Sequence, residues 1–259
     1  MTDLILYQSA IRDLTRPKRL FWVCVLILIA PALALLVRLS IHNHLDIASF
    51  YQQLCSTIVY GFVLVLLSVL FATGAITSEL EQKTIVYLLT RPVARWRILL
   101  AKYLAAVTIA TLAAWLSLSL LAAITIGAQG LAAAHFWLQM GIIPLGVLAY
   151  SGVFLFIAAL TGRTLVPLGI GIFYGFLWET IVPELPGNFK VASLMTYLHL
   201  MAKIKTQNQD SGSLFSTAST FHITLSVAWL VILLTFILSL MASLMLFSVK
   251  EYVPREETA

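Results

Sequence analysis

Residues 79–102 read ELEQKTIVYLLTRPVARWRILLAK, a charged stretch that lies between two apolar stretches. No Asp, Glu, Lys or Arg occurs in residues 47–78, 103–162 or 211–249. A helix needs about 20 apolar residues to cross a hydrocarbon core about 30 Å thick, and each uncharged stretch is at least that long. The sequence therefore predicts membrane-crossing helices on both sides of the charged stretch.

The composition is that of a membrane protein. Of the 259 residues, 61% are hydrophobic and 10% are charged, and the mean hydropathy is +0.98. Soluble domains average about 45–50% apolar and about 25% charged residues, so a soluble domain could not cover its surface with so few charges. The apolar stretches are continuous rather than alternating, which favours helices over a transmembrane barrel.

We predict an all-α membrane protein that forms a single domain over residues 1–259, with six transmembrane helices. These spans lie at about residues 20–39, 57–77, 96–126, 136–160, 165–182 and 221–249. The fifth is the least regular, because it is rich in glycine and contains Glu179 near its end. Residues 191–202 form an apolar run too short to cross a membrane. We therefore expect a short re-entrant or interfacial helix there, within an outer loop at residues 183–220.

The distribution of Lys and Arg predicts the orientation. Twelve of the sixteen basic residues lie on one side of the predicted spans: Arg12, Arg16, Lys18, Arg19, Lys83, Arg91, Arg95, Arg97, Lys102, Arg163, Lys250 and Arg255. By the positive-inside rule, both termini and the charged stretch face the cytoplasm. The topology and the anionic inner leaflet account for the net charge of +5, so we expect no nucleic-acid partner.

Residues 1–17 are predicted to form an amphipathic helix that lies on the inner membrane surface. Its apolar residues can share one helical face: Leu4, Ile5, Ile11 and Leu14. The pattern ends at Arg16-Pro17. An alternative is a secretory signal cleaved near residues 30–32, but the segment before the apolar core is long and amphipathic, which disfavours it.

The charged stretch divides into a surface helix and an elbow. Residues 79–89 can lie flat with one apolar side, formed by Leu80, Ile85, Val86, Leu88 and Leu89. Pro92 disfavours helical geometry at Arg91 and has no amide proton, so it marks a break before the next helix. A basic collar of Arg95, Arg97 and Lys102 follows. Taken alone, this pattern favours an ordinary cytoplasmic loop whose basic side chains extend to the headgroups.

The same residues resemble a motif of the type 2 ATP-binding-cassette (ABC) transporter permease family. In that family an acidic pair is followed by Lys-Thr or Gly-Thr, Leu-Leu, a polar residue, Pro, Arg and a Lys that opens the third span. The matching residues here are Glu79, Glu81, Lys83-Thr84, Leu88-Leu89, Thr90-Arg91-Pro92, Arg95 and Lys102. Ala101 stands where members often have Gly. The six spans and the two short helices extend the resemblance loosely over the whole chain.

The resemblance implies that residues 79–95 are a coupling helix and elbow, which dock on a cytoplasmic ATPase. It implies an exporter subunit of the prokaryotic cytoplasmic (inner) membrane that dimerises with a second permease copy or a homologous permease. The chain has no G-x-x-x-x-G-K-[ST] phosphate loop, so ATP and Mg²⁺ are expected on separate ATPase subunits. We expect no cofactor and no enzymatic activity in this chain.

Nine residues are the predicted coupling site. Those expected to make polar contacts with the ATPase are Glu79, Glu81, Arg91 and Arg95, and those expected on the docked apolar face are Leu80, Ile85 and Tyr87. Thr84 and Pro92 belong to the same motif.

Glu179 is a separate candidate, because an ionisable group near a span end is a functional suspect. It either lines a substrate path or is solvated at the outer interface. The histidines show no paired helical spacing within a span, and no H-E-x-x-H occurs. His42 and His44 in the first outer loop could bind a metal, but solvated loop histidines are commoner, so we predict no metal site.

Two other functions stay open. A motor-independent channel or ion-coupled transporter would be expected to carry ionisable groups inside its spans, and this sequence has almost none. A non-transporting assembly or sensor protein could use the same scaffold. A tightly bound soluble ATPase would separate the exporter from both. Spans with few polar residues favour a lipid-like, hydrophobic or peptide cargo over a bare ion.

Overall fold

The computed structural model describes residues 2–40, 47–81, 95–127, 135–162, 165–182, 191–204 and 224–249. In chain order the elements are α1 (Thr2–Leu14), α2 (Pro17–Ser40), α3 (Ile47–Leu54), a first π-helical segment (Cys55–Val63), α4 (Leu64–Glu81), α5 (Arg95–Thr125), α6 (Phe136–Thr161), α7 (Leu165–Phe173), a second π-helical segment (Tyr174–Trp178), α8 (Glu179–Ile181), α9 (Leu194–Ala202) and α10 (Leu225–Val249). The prediction of an all-α fold is confirmed for these residues.

Within the described residues, five helical stretches are long and apolar enough to cross a membrane: Arg19–Leu39, Ser49–Ala75, Trp96–Thr125, Phe136–Thr161 and Leu225–Ser248. They coincide with the first four predicted spans and the sixth. The second begins at Ser49 rather than Thr57, because the chain is helical without a break from Ile47 to Glu81. The fifth predicted span, residues 165–182, is also helical but is not among the five.

Helix α6 occupies the centre and packs against α4, α5 and α10. Glycines allow the close approaches. A Cβ on Gly152 of α6 would overlap the Ser239 side chain of α10, and one on Gly171 of α7 would overlap Val69 of α4. Because neither glycine leaves room for a side chain, the Ser239 and Val69 side chains pack directly against the backbone of α6 and α7, respectively. Such close contacts at small residues are common between membrane helices.

Helices α2 and α10 lie at the outside of the bundle. Only 22% of the most apolar window of α2 and 17% of that of α10 is buried. Large apolar side chains such as Phe21, Leu36, Leu230 and Leu238 are more than half exposed. A surface of this extent is not stable against water, so these helices require an apolar environment such as a lipid bilayer.

The predicted N-terminal helix corresponds to α1, which packs along α5 and also contacts α4. Ala10 and Leu14 are buried in these contacts. Nearer the start of α1, the hydroxyl group of Tyr7 is hydrogen-bonded to that of Thr108 in α5, at 3.0 Å. Ala10 and Leu14 are therefore held by protein contacts within the bundle.

Candidate functional site

The charged stretch starts and ends in two helices that contact each other. Glu79, Leu80 and Glu81 form the last turn of α4, and Arg95 is the first residue of α5. The other five predicted coupling residues lie outside the described residues: Thr84, Ile85, Tyr87, Arg91 and Pro92. The two helices that flank residues 82–94, α4 and α5, therefore pack against each other.

Basic side chains hold the last turns of α4. Arg19 of α2 donates from Nη1 to the carbonyl of Gly74 at 3.4 Å, and Lys102 of α5 donates from Nζ to the carbonyl of Ala75 at 3.3 Å. We call this region the basic end: it comprises α1, the first turns of α2 and α5, and the last turns of α4. Because α2 and α5 both bond to α4 here, a displacement of α4 has to change contacts with both.

The predicted basic collar is not uniform. Lys102 is directed onto the backbone of α4. The guanidinium of Arg97 instead lies over the ring of Trp96, 5.3 Å from its centroid, and both residues are exposed. An exposed cation–π pair of this kind contributes about 0.5–1 kcal/mol, so Arg97 remains available at the surface while Lys102 does not.

Glu179, at the far end of the helical run from α7, is fully buried. This burial disfavours the alternative in which Glu179 is solvated at the outer interface, and a place on a substrate path stays a prediction. Its Oε2 accepts hydrogen bonds from the Ser193 hydroxyl and from the Met195 amide, the latter at 3.1 Å. Both donors belong to the start of α9, so the short helix packs over the side chain and excludes solvent.

Two tyrosines, Tyr150 of α6 and Tyr174, interact with the Glu179 carboxyl group. Their rings are 6.2 Å apart. Among the described residues, neither Glu179 Oε1 nor the Tyr150 hydroxyl has a hydrogen-bond partner. The described residues also provide no cation for Glu179. The Glu179 carboxyl group is thus buried among polar neighbours and has no basic partner in the described part of the chain.

A family model described as ABC-2 family transporter protein matches residues 14–178. The chain belongs to the ABC-2 transporter family. The resemblance inferred from the charged stretch is thereby confirmed, and the match includes all of residues 79–102. No individual curated protein matches the chain. ABC-2 permeases are membrane components of transporters and normally work with ATP-binding cassette partners.

The matched residues of this ABC-2 protein stop just before Glu179. Together with the apolar helices, the match fits a permease subunit and an integral membrane protein. Glu179 and α9 therefore lie outside the matched residues.

Sequence reasoning missed a second buried polar group, Gln139 of α6. Its Oε1 accepts from the Tyr51 hydroxyl at 2.6 Å, and its backbone carbonyl accepts from the Tyr60 hydroxyl at 2.8 Å. The thiol of Cys55 lies 3.7 Å from the same Oε1. The available signal was a single amide residue within an uncharged span, which requires internal partners in an apolar environment.

His199 of α9 was also missed. It is buried, its ring meets that of Tyr60 edge to face at 5.9 Å, and its Nε2 has no partner among the described residues. Burial lowers the pKa of His199 from 6.5 to about 4, and a hydrogen bond to the backbone of Ser56 opposes that shift in part. The imidazole is therefore neutral at physiological pH. We call the region that holds Tyr51, Gln139, Glu179 and α9 the opposite end.

Proposed function

We propose that this ABC-2 permease is the membrane subunit of an exporter and is coupled through residues 79–95 to a separate cytoplasmic ATPase, which binds ATP and Mg²⁺. The observation that carries the proposal is the family match, which includes the whole of that segment. In this proposal residues 165–182 supply a sixth span, the permease acts as a dimer with a second or homologous copy, and both termini are cytoplasmic in a prokaryotic inner membrane.

The contacts of the basic end support this coupling route. A partner shifts a conformational equilibrium only through contacts that differ between the two states, so the docked segment has to be tied to the spans. Glu79–Glu81 continue α4 directly, and Arg95 starts α5. The bonds of Arg19 and Lys102 to Gly74 and Ala75 then connect α4 to α2 and α5.

The test is a charge reversal in the coupling segment. The tagged chain is purified with its ATPase under mild conditions, and ATP hydrolysis of the complex is compared with that of the free ATPase. Glu81→Lys is expected to abolish the stimulation of ATP hydrolysis while expression stays normal. Gln82→Lys places a lysine one residue away, outside the predicted contact set, and changes the charge by one unit rather than two. It is expected to retain most of the stimulation of ATP hydrolysis. Normal stimulation in Glu81→Lys, or absence of any associated ATPase, would contradict the proposal.

We further propose that Glu179 lies on the substrate path. Its support is the complete burial of this carboxyl group beside Tyr150 and Tyr174, with no basic partner among the described residues. Glu179→Gln removes the charge and nearly preserves the shape, so it is expected to change ATP-dependent uptake of lipid-like, hydrophobic or peptide probes into inside-out vesicles. The amount of assembled complex is expected to stay the same. Unchanged uptake of every probe would remove Glu179 from the path.

One observation favours the second candidate, an ion-coupled transporter that needs no motor. A buried carboxylate without a cation is the kind of group such transporters use for protons or metal ions. If this candidate is correct, the purified chain alone will move a probe into liposomes when a proton or sodium gradient is imposed, without any ATPase. Transport that requires both the ATPase and ATP would exclude it.

A further inference from the structure

Helix α9 begins without a capping side chain of its own. Ser193 occupies the position before its first turn, with φ −97° and ψ 127°, and makes no side-chain capping bond to α9. A serine there normally accepts a hydrogen bond from the amide of the second or third helical residue. Instead, the Ser193 hydroxyl donates to Glu179.

Glu179 supplies the missing acceptor from another helix. Its Oε2 accepts from the amide of Met195, the second residue of α9, at 3.1 Å. A carboxylate at a helix start also complements the partial positive charge of the helix dipole. The same oxygen therefore satisfies an unpaired amide of α9 and holds the residue that precedes the helix.

Helix α9 also packs against two glycines. A Cβ on Gly61 would lie 3.2 Å from the terminal methyl of Met195, and a Cβ on Gly146 would lie 3.0 Å from a Leu198 methyl. Met195 and Leu198 are both buried. These glycines form notches, and α9 fits them only while its first turn is held in position.

We propose that Glu179 is a latch that caps α9 from outside that helix and keeps it docked in the notches at Gly61 and Gly146. The latch uses Oε2, which accepts from both the Ser193 hydroxyl and the Met195 amide. Any rearrangement that separates Glu179 from Ser193 uncaps α9, so the end of the α7–α8 helical run and α9 move as one unit until the latch opens.

The test measures how well α9 protects a cysteine. Ala202 is fully buried at the end of α9, and the substitution Ala202→Cys changes little volume. The full-length protein, with Cys24 and Cys55 replaced by alanine, is purified in detergent and labelled with a polar maleimide. Leu200→Cys, on the exposed side of α9, gives the rate for an open site, and Ala110→Cys, fully buried in α5, reports on global unfolding.

Glu179→Ala is expected to raise the labelling rate of Ala202→Cys at least about tenfold, towards that of Leu200→Cys, because two hydrogen bonds to a charged acceptor are lost. Labelling of Ala110→Cys is expected to stay unchanged. Glu179→Gln retains an acceptor oxygen, so its rate is expected to stay within about threefold of the parent. Ser193→Ala removes one of the two bonds and is expected to lie between them.

Three results would overturn the latch. The first is a slow Ala202→Cys reaction in Glu179→Ala. The second is an equal rise at Ala110→Cys, which would show general unfolding. The third is a Glu179→Gln variant as reactive as Glu179→Ala, which would show that the acceptor oxygen does not hold α9. If Glu179→Ala does not fold, Ser193→Ala decides: labelling at the parent rate would overturn the latch and a faster rate confined to α9 would support it.

Discussion

The two ends of the bundle hold their polar groups in opposite ways. At the basic end, Arg19 and Lys102 are half-buried and reach backbone carbonyls through long flexible side chains. At the opposite end, Gln139 and Glu179 are fully buried and accept from hydroxyl groups and an amide. A flexible cation can follow a moving partner, whereas a buried acceptor that loses its donor bears the full cost of desolvation. The difference indicates a basic end that tolerates displacement and an opposite end that resists it.

The largest effect is expected at Gln139. Gln139→Leu deprives the Tyr51 hydroxyl of its acceptor in a site without solvent, so the free energy of unfolding should fall by about 2–4 kcal/mol. Thermal unfolding of the detergent-solubilised protein measures this.

The control for Gln139→Leu is the double variant with Tyr51→Phe. Removing both partners leaves only the weak thiol donor of Cys55 without its acceptor, so the double variant should be more stable than Gln139→Leu alone. Additive losses would show that the Tyr51–Gln139 bond does not stabilise the opposite end.

The next effect is a pH dependence at His199. Since burial lowers its pKa to about 4, the unfolded chain takes up a proton below about pH 6.5 while the folded protein does not. The free energy of unfolding should therefore be highest near pH 7 and decrease towards pH 4. At pH 5 the decrease due to His199 should be about 2 kcal/mol. Unfolding temperatures at pH 7 and pH 5 test this. His199→Phe keeps a ring beside Tyr60 and should lose that part of the pH dependence; an unchanged profile would contradict the assignment.

A matched pair of glycine substitutions compares the two ends directly. Gly146→Ala places a methyl 3.0 Å from Leu198 and 3.2 Å from Leu64, both fully packed, and should cost about 1–3 kcal/mol. In Gly74→Ala the new methyl would lie 2.7 Å from the end of the Arg19 side chain, which is flexible and can move aside. This movement would break the hydrogen bond from Arg19 to the Gly74 carbonyl, but the better helix propensity of Ala offsets that loss. Its net effect should be below about 1 kcal/mol. Equal unfolding temperatures for the two variants would remove the distinction between the ends.

The smallest effect is expected at Lys203, which ends α9 in a left-handed conformation with φ 51°. Lys203→Gly should relieve that strain and stabilise the protein by about 0.5–1 kcal/mol. The same thermal assay detects it, and Lys203→Ala serves as the control because it keeps the Cβ. A gain of equal size in Lys203→Ala would show that charge rather than backbone strain is responsible.

The spans were predictable because lipid imposes a simple rule on length and polarity. Four predicted spans and the last one agree with the structure to within a few residues, apart from the start of the second at Ser49. That start was missed because residues 47–54 include Ser49, Gln52 and Gln53, which look like a loop in sequence. In the structure they form α3, and Tyr51 turns inward to Gln139.

The buried polar contacts could not be predicted, because they join residues far apart in the chain. Glu179 was recognised as a candidate, yet its burial depends on α9 folding back over it, which hydropathy does not report. The pairing of Tyr51 with Gln139 spans 88 residues and depends on how α3 and α6 are positioned in the bundle. The coupling residues were accessible to sequence reasoning through a local motif; their contacts with an ATPase remain a prediction.

The first π-helical segment, Cys55–Val63, determines how α3 and α4 are rotated relative to each other about their common helix axis. Tyr51 and Tyr60 are nine positions apart, which in an α-helix of 3.6 residues per turn puts them on opposite sides, yet both hydroxyls reach Gln139. The hydrogen bond from the Leu64 amide to the Val59 carbonyl spans five residues, as in a π-helix. These wider turns place the Tyr51 and Tyr60 hydroxyls on the same side, where both reach Gln139. Deleting one residue from Cys55–Val63 would turn everything downstream by about 100°. The last turn of α4, Glu79–Glu81, would then lie at a different angle around the helix axis, although none of its own neighbours in sequence had changed.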